Sequence, residues 1–89
     1  MIAVYVSPVA LDQATYEKVS QRLDEAEAPM AGRTHHSCFG EPGNLMVYEV
    51  WESQEAYDAF AAVLLPILAE EGVTSNRPPD IMPVVNISQ

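Results

Sequence analysis

His36 and Glu49 are two side chains with complementary proton chemistry, and a strong turn signal stands between them. In the run Gly40-Glu41-Pro42-Gly43-Asn44, proline presets the first turn dihedral and glycine accepts the positive second one, as a type II turn requires. With Pro42-Gly43 as the tip, or with a loop of residues 41–44, Gly40 pairs with Leu45. Extending that ladder sets Cys38 opposite Val47, His36 opposite Glu49 and Thr34 opposite Trp51. Directly opposed residues share a face. One face then carries Thr34, His36, Cys38, Val47, Glu49 and Trp51, and the other His35, Ser37, Phe39, Met46, Tyr48 and Val50. A one-residue bulge would reassign these positions.

A histidine facing a carboxylate on a partly apolar face can act as an acid/base pair, because the carboxylate fixes the imidazole tautomer. The same pair can equally be a structural cross-strand hydrogen bond. Trp51 and Tyr57 can wall a pocket for a planar ligand or simply fill a core. Tyr16, on a helix stripe described below, is a third candidate for such a wall. Arg22, at the margin of that stripe, can anchor an anionic ligand or lay its stem on the core and expose its head.

Adjacent His35 and His36 point to opposite strand faces and cannot chelate one metal together. Beyond them the chain has no histidine and a single cysteine, Cys38, so neither a transition-metal site nor an intrachain disulfide is expected. Cys38 can be a nucleophile or a small buried hydrophobe, and no basic cluster surrounds it. Phosphate loops, dinucleotide fingerprints and serine elbows are absent from the sequence, so no cofactor is expected.

These side chains need elements to position them. Residues 2–7 are β-branched and aromatic and stop at Pro8, which predicts a strand, and its near-continuous apolar character predicts a central one. Residues 11–28 predict a helix capped by Asp12, with Tyr16, Val19, Leu23 and Ala26 as its apolar stripe. Strands are predicted over 33–39 and 45–51. A second helix, capped by Ser53, clusters Tyr57, Phe60, Ala61, Leu64, Ile67 and Leu68 on one side. Val63 and Leu65 widen the arc, Pro66 should kink the backbone, and Gly72 is a plausible end. After a polar loop over 74–80, residues 81–87 predict a last strand that Pro83 demotes to an edge or a bulge.

The chain has 89 residues, so residues 1–89 are expected to form a single domain. A domain this short buries only about 60–65% of its unfolded surface. It is nevertheless 48% hydrophobic, which favours a partner copy that covers surplus apolar surface. Thirteen acidic side chains stand against four basic ones, for a net charge of -9. That balance argues against nucleic acid and against anionic membrane surfaces. The opening residues lack the basic flank of a signal peptide, and no apolar run approaches the roughly 20 residues of a membrane span. A cytoplasmic location is the default expectation.

The order strand, helix, strand, strand, helix, strand is the ferredoxin-like α+β pattern: an antiparallel sheet with two helices on one face. The stretch Val47-Tyr48-Glu49-Val50-Trp51-Glu52-Ser53-Gln54-Glu55-Ala56-Tyr57-Asp58-Ala59-Phe60 resembles the third-strand-to-second-helix junction of the dimeric α+β barrel superfamily. That group includes antibiotic-biosynthesis-type and haem-degrading monooxygenases and stress-responsive barrel proteins. His36-Ser37-Cys38-Phe39-Gly40 is similar to a segment of small actinobacterial-type members. In the haem-degrading branch, a tryptophan ending the third strand works with an asparagine on the first strand and a histidine on the second helix. Trp51 matches the tryptophan. The first strand has no asparagine and the second helix no histidine, so the resemblance does not extend to haem degradation.

The resemblance implies a homodimer packed sheet to sheet that holds a small aromatic or otherwise apolar molecule between helices and sheet. If the protein is an enzyme, it implies cofactor-independent monooxygenase-like chemistry or proton transfer. His36 would be the base, Glu49 its orienter, and Trp51, Tyr57, Tyr16 and Arg22 the surroundings of the substrate. The rival expectation is a non-catalytic small-molecule-binding or stress-related barrel protein. A cavity between helices and sheet that His36 reaches would favour the enzyme, and a filled, dry core the rival.

Overall fold

The computed structural model describes residues 1–88. Six elements follow in order: β1 (Ile2–Val6), α1 (Gln13–Glu25), β2 (Arg33–Glu41), β3 (Asn44–Trp51), α2 (Gln54–Glu70) and β4 (Asp80–Pro83). The strands form one antiparallel sheet in the order β2-β3-β1-β4. This is the ferredoxin-like arrangement expected from the pattern. Both helices lie on one face of the sheet. The core between the layers is built on Val4, Trp51 and Phe60, the largest fully buried side chains.

The helix starts follow their caps. Asp12 accepts from the Thr15 amide at 2.8 Å and Ser53 from the Ala56 amide at 3.1 Å, so each satisfies an amide that has no partner inside its helix. The first helix is shorter at both ends than the sequence suggests, because Asp12 stays extended as cap and Glu27 takes a φ of 53° beyond the Ala26 cap. The second runs through Pro66 to Glu70, and Gly72 follows at φ 74°. Val19 and Leu23 of α1 and Tyr57, Phe60, Ala61 and Ile67 of α2 are buried.

The hairpin tip is Pro42-Gly43, with Glu41 paired to Asn44 and Gly43 at the positive φ, 82°, that the turn demands. The register runs as expected through Gly40 opposite Leu45, Cys38 opposite Val47 and His36 opposite Glu49. It then breaks. A bulge between Arg33 and His35 puts Arg33, not Thr34, opposite Trp51. Thr34 instead bonds its hydroxyl to the Val50 carbonyl at 3.3 Å. The extra residue gives the helix-facing side of the sheet an arginine where simple alternation predicts a threonine.

Two further departures have local causes. The last strand ends at Pro83, not at residue 87: Pro83 pairs with Ile2, the Val84 amide reaches the Met1 carbonyl at 3.1 Å, and there β1 runs out. It lies at the sheet edge, as its proline requires. β1 is central, between β3 and β4, yet only Val4 of its five residues is fully covered. Among the described residues, no helix or strand lies over the opposite sheet face.

Gly32 marks the entry to the bulge. Its carbonyl accepts from the Glu52 amide at 2.8 Å, and a Cβ placed there would lie 2.7 Å from the Ala56 Cβ. Gly32→Ala therefore forces α2 away from β2. It is expected to cost about 1–3 kcal/mol, read as a lower urea midpoint with an unchanged slope.

Candidate functional site

The sheet and the two helices do not close completely. A cavity of about 290 Å³ lies between them. Val6 and Val47 form its sheet side, beside His36, Glu49 and Arg33. Tyr16, Val19, Leu23 and the carboxylate-bearing Asp24 of α1 and Tyr57, Phe60 and Leu64 of α2 add to the wall. One end is framed by the β1–α1 connection, which is tied to the loop after α2 by Val9 N–H donating to the Thr74 carbonyl at 2.8 Å and by a bridge between Pro8 and Ser75.

The polar groups are concentrated on the β2–β3 hairpin. Glu49 is 5% exposed, and it keeps its charge because every oxygen is engaged. Oε2 accepts from His36 Nδ1 at 2.6 Å and from Arg33 Nη1 at 3.1 Å, and Oε1 accepts from Trp51 Nε1 at 3.0 Å. Burial alone pushes the Glu49 carboxyl up. The hydrogen bonds from His36 and Trp51, with the neighbouring charges of His36 and Arg33, outweigh burial and hold it below its ordinary 4.5. Among the described residues, no buried side-chain nitrogen or oxygen lacks a partner.

The ionised carboxylate can only accept, so His36 Nδ1 carries the proton between them and, in the neutral ring, Nε2 is the acceptor. The Tyr16 hydroxyl lies 2.5 Å from Nε2. Burial raises the Tyr16 phenol above its ordinary value of 10.0, so it remains a donor at neutral pH. Tyr57, likewise pushed up by burial, stands on the α2 side of the cavity.

The structure brings His36, Glu49, Tyr16 and Tyr57 to one cavity. Trp51 and Arg22 are placed elsewhere. Trp51 is fully buried behind the cavity wall, with its ring centroid 5.0 Å from that of Phe60 and 6.0 Å from that of Tyr57, and it reaches the site through its N–H to Glu49. Arg22 lies outside the cavity lining, where Nη1 binds Glu71 at 2.9 Å and Nη2 binds Glu70. Lys18 adds a 3.2 Å contact to Glu71, so these charges join α1 to α2. Cys38 is half-buried, and burial raises its thiol.

Arg33 is the site residue that pattern reading missed. Strand alternation could not reveal it, because the bulge alone turns it onto the cavity face. The available signal was its type: it is one of four basic residues in a chain of net charge -9, and it opens the strand that carries His36. Its guanidinium also lies 5.9 Å from the Phe60 ring centroid, within cation–π range.

No protein-family model matches the chain, and no curated protein matches it. Solved structures do. A candidate antibiotic biosynthesis monooxygenase from Chloroflexus aurantiacus J-10-fl is 14% identical, with 99% of this chain and 98% of that one covered and a TM-score of 0.61. A second, from Nitrosomonas europaea, is 12% identical, covers 97% of this chain and 100% of that one, and has a TM-score of 0.62. A Mycobacterium tuberculosis protein, 14% identical over 99% of this chain and 94% of its own, gives 0.56. At these identities the likeness is one of fold: these solved structures share the α+β arrangement of this chain.

Glu49 makes a testable link between site and stability. Its folded pKa is depressed, so its contribution is fully present above the unfolded value near 4.5 and is lost as pH falls through the lower folded value. Glu49→Gln keeps an acceptor but removes the charge. It is expected to lower stability at neutral pH by about 1–3 kcal/mol and to flatten the acid limb of the stability profile. Urea unfolding of both proteins across the carboxylate pH range measures this.

Proposed function

We propose that this protein binds a small, neutral, largely apolar molecule in the cavity between helices and sheet, and acts on it by cofactor-independent, monooxygenase-like chemistry that begins with proton abstraction. The observation that carries this reading is an apolar cavity with the His36–Glu49 pair in its wall, the carboxylate buried and its charge balanced by Arg33. The wall pairs the Arg33 guanidinium with the Glu49 carboxylate and also carries the Asp24 carboxylate, so it has no positive charge to spare for an anion and suits a neutral ligand. Tyr57 and Phe60 offer aromatic surface to a planar ring.

In this reading His36 is the base. Glu49 fixes the ring with Nδ1 protonated and stabilises the imidazolium formed when Nε2 takes a proton. Trp51 holds Glu49 in place from behind the wall, and Arg33 holds it from the cavity face. Proton removal from an electron-rich aromatic leaves an anion that can react with dioxygen directly. The solved structures named for antibiotic biosynthesis monooxygenase activity support the reading at the level of fold.

The same reading includes a homodimer. Tyr5, Phe39, Met46, Tyr48 and Met82 lie on the sheet face away from the helices, with Phe39 44% and Met82 58% exposed. Among the described residues no helix or strand covers that face, and a second copy packed sheet to sheet would. Interfaces that replace part of a core bury on the order of 2,000 Å² or more.

Three experiments test the proposal. Neutral bicyclic aromatics, followed by fluorescence titration, should bind the wild type, and Leu64→Trp, which fills the cavity, should weaken binding by at least about tenfold. Against a substrate found by this route, His36→Gln should cut turnover by about 10²–10⁴-fold while binding persists. Unchanged turnover would leave a binding protein without catalysis. For the dimer, sedimentation at micromolar concentration should give twice the chain mass, and Phe39→Asp should shift it towards the monomer. A monomeric wild type contradicts that part of the reading.

A further inference from the structure

The geometry points to Tyr16, not His36, as the group that meets the ligand: Tyr16, His36 and Glu49 form a proton relay whose outer end is the Tyr16 hydroxyl. This rests on the reading of the cavity as a ligand site and adds to it a residue and a direction of proton flow. Both nitrogens of His36 are already taken, Nδ1 by Glu49 at 2.6 Å and Nε2 by the Tyr16 hydroxyl at 2.5 Å. A ligand therefore reaches the imidazole only by displacing Tyr16 or by acting through it.

The contact has the shape of an in-plane hydrogen bond. The phenol and imidazole planes differ by 12° with centroids 6.1 Å apart, so the two rings meet end to end and not face to face. The phenol oxygen then lies close to the imidazole plane, on the side of the Nε2 lone pair, where its O–H can be donated. Tyr16 is held from α1 and His36 from the hairpin, so the bond also ties the two layers together across the cavity.

While Tyr16 donates to Nε2, its oxygen keeps lone pairs with which to accept from a ligand, in competition with the neighbouring Ser20 hydroxyl. The cavity thus offers an acceptor to a neutral ligand bearing an O–H or N–H. The transfer balances without a co-reactant. The ligand O–H or N–H bond breaks and its proton bonds to the Tyr16 oxygen, while the original Tyr16 proton moves to His36 Nε2. The products are a ligand anion and an imidazolium whose Nδ1–H remains on the Glu49 carboxylate. The phenol ends neutral, as it began.

Two measurements decide this. Tyr16→Phe removes only the hydroxyl and preserves the ring. In ligand-free protein, the ¹⁵N resonance of His36 Nε2 should move, on this substitution, towards that of an unbonded ring nitrogen. An unmoved resonance overturns the relay. The probes for the ligand step are 2-naphthol and 2-methoxynaphthalene, which differ in one donor. The wild type should prefer 2-naphthol by about tenfold, the worth of one hydrogen bond, and Tyr16→Phe should erase that preference. A preference kept or widened in Tyr16→Phe means that the ligand docks on Nε2 itself, and overturns the role given to Tyr16. If neither naphthalene binds the wild type, the cavity reading fails and takes the ligand step with it, while the nitrogen resonance still decides the relay.

Discussion

Glu49 holds a carboxylate in the layer between sheet and helices, with 5% of the residue exposed, and the site depends on keeping that charge stable. Removing an ion from water costs several kcal/mol even after the protein relaxes. Here three donors converge on it, from Trp51 two residues along the same strand, and from Arg33 and His36 on the neighbouring one. Charge-assisted bonds of this kind contribute about 1.5–3 kcal/mol each, enough together to offset desolvation. The carboxylate in turn sets the imidazole tautomer, leaves Nε2 facing the cavity and satisfies the buried indole N–H. Without it, Trp51 would bury an unpaired donor, Arg33 an uncompensated charge, and His36 would lose its orientation.

The backbone around β2 and β3 makes this convergence possible. The two-residue turn at Pro42-Gly43 aligns His36 with Glu49, since every later pair in the ladder inherits the register of the tip. The bulge then shifts Arg33 onto the same face, at the point where Gly32 lets the chain pass within contact of α2. Neither device alone would suffice. The turn without the bulge leaves Glu49 facing histidine and tryptophan with no permanent positive charge, and the bulge without the turn has no carboxylate to address.

The two faces of the sheet have different tasks. The helix-facing side carries the core and the cavity, and the large residues at one end, Trp51, Phe60 and Tyr57, pack against one another. The space remains towards Tyr16, Val47 and Leu64. Ion pairs from Lys18 and Arg22 to Glu70 and Glu71 join the helices at their solvent side, where exposed pairs contribute little stability each but set the lateral position of α1 over α2. The other face has aromatic and sulfur side chains in contact, such as the Tyr5 hydroxyl on Met46 Sδ at 2.9 Å, and no covering layer among the described residues.

The element order, both helix caps, the hairpin tip and the pairing of His36 with Glu49 were legible in the residues themselves, because each depends on local chemistry: a side-chain acceptor at a helix start, a proline and glycine at a turn, and the two-residue period of a strand. The extent of the last strand was not, because it depends on where β1 runs out of partners. Arg33 was hidden for a related reason, since a bulge breaks the period that any strand reading relies on. Trp51 and Arg22 had the right chemical types for a pocket wall and an anchor. Packing put one fully behind the wall and tied the other to α2, and which of several apolar or basic side chains faces an internal space is decided only when two layers meet. The bond from Tyr16 to His36 joins a helix to a hairpin twenty residues on in the chain. No local pattern encodes such a contact, because its geometry is set by how far α1 stands from the sheet.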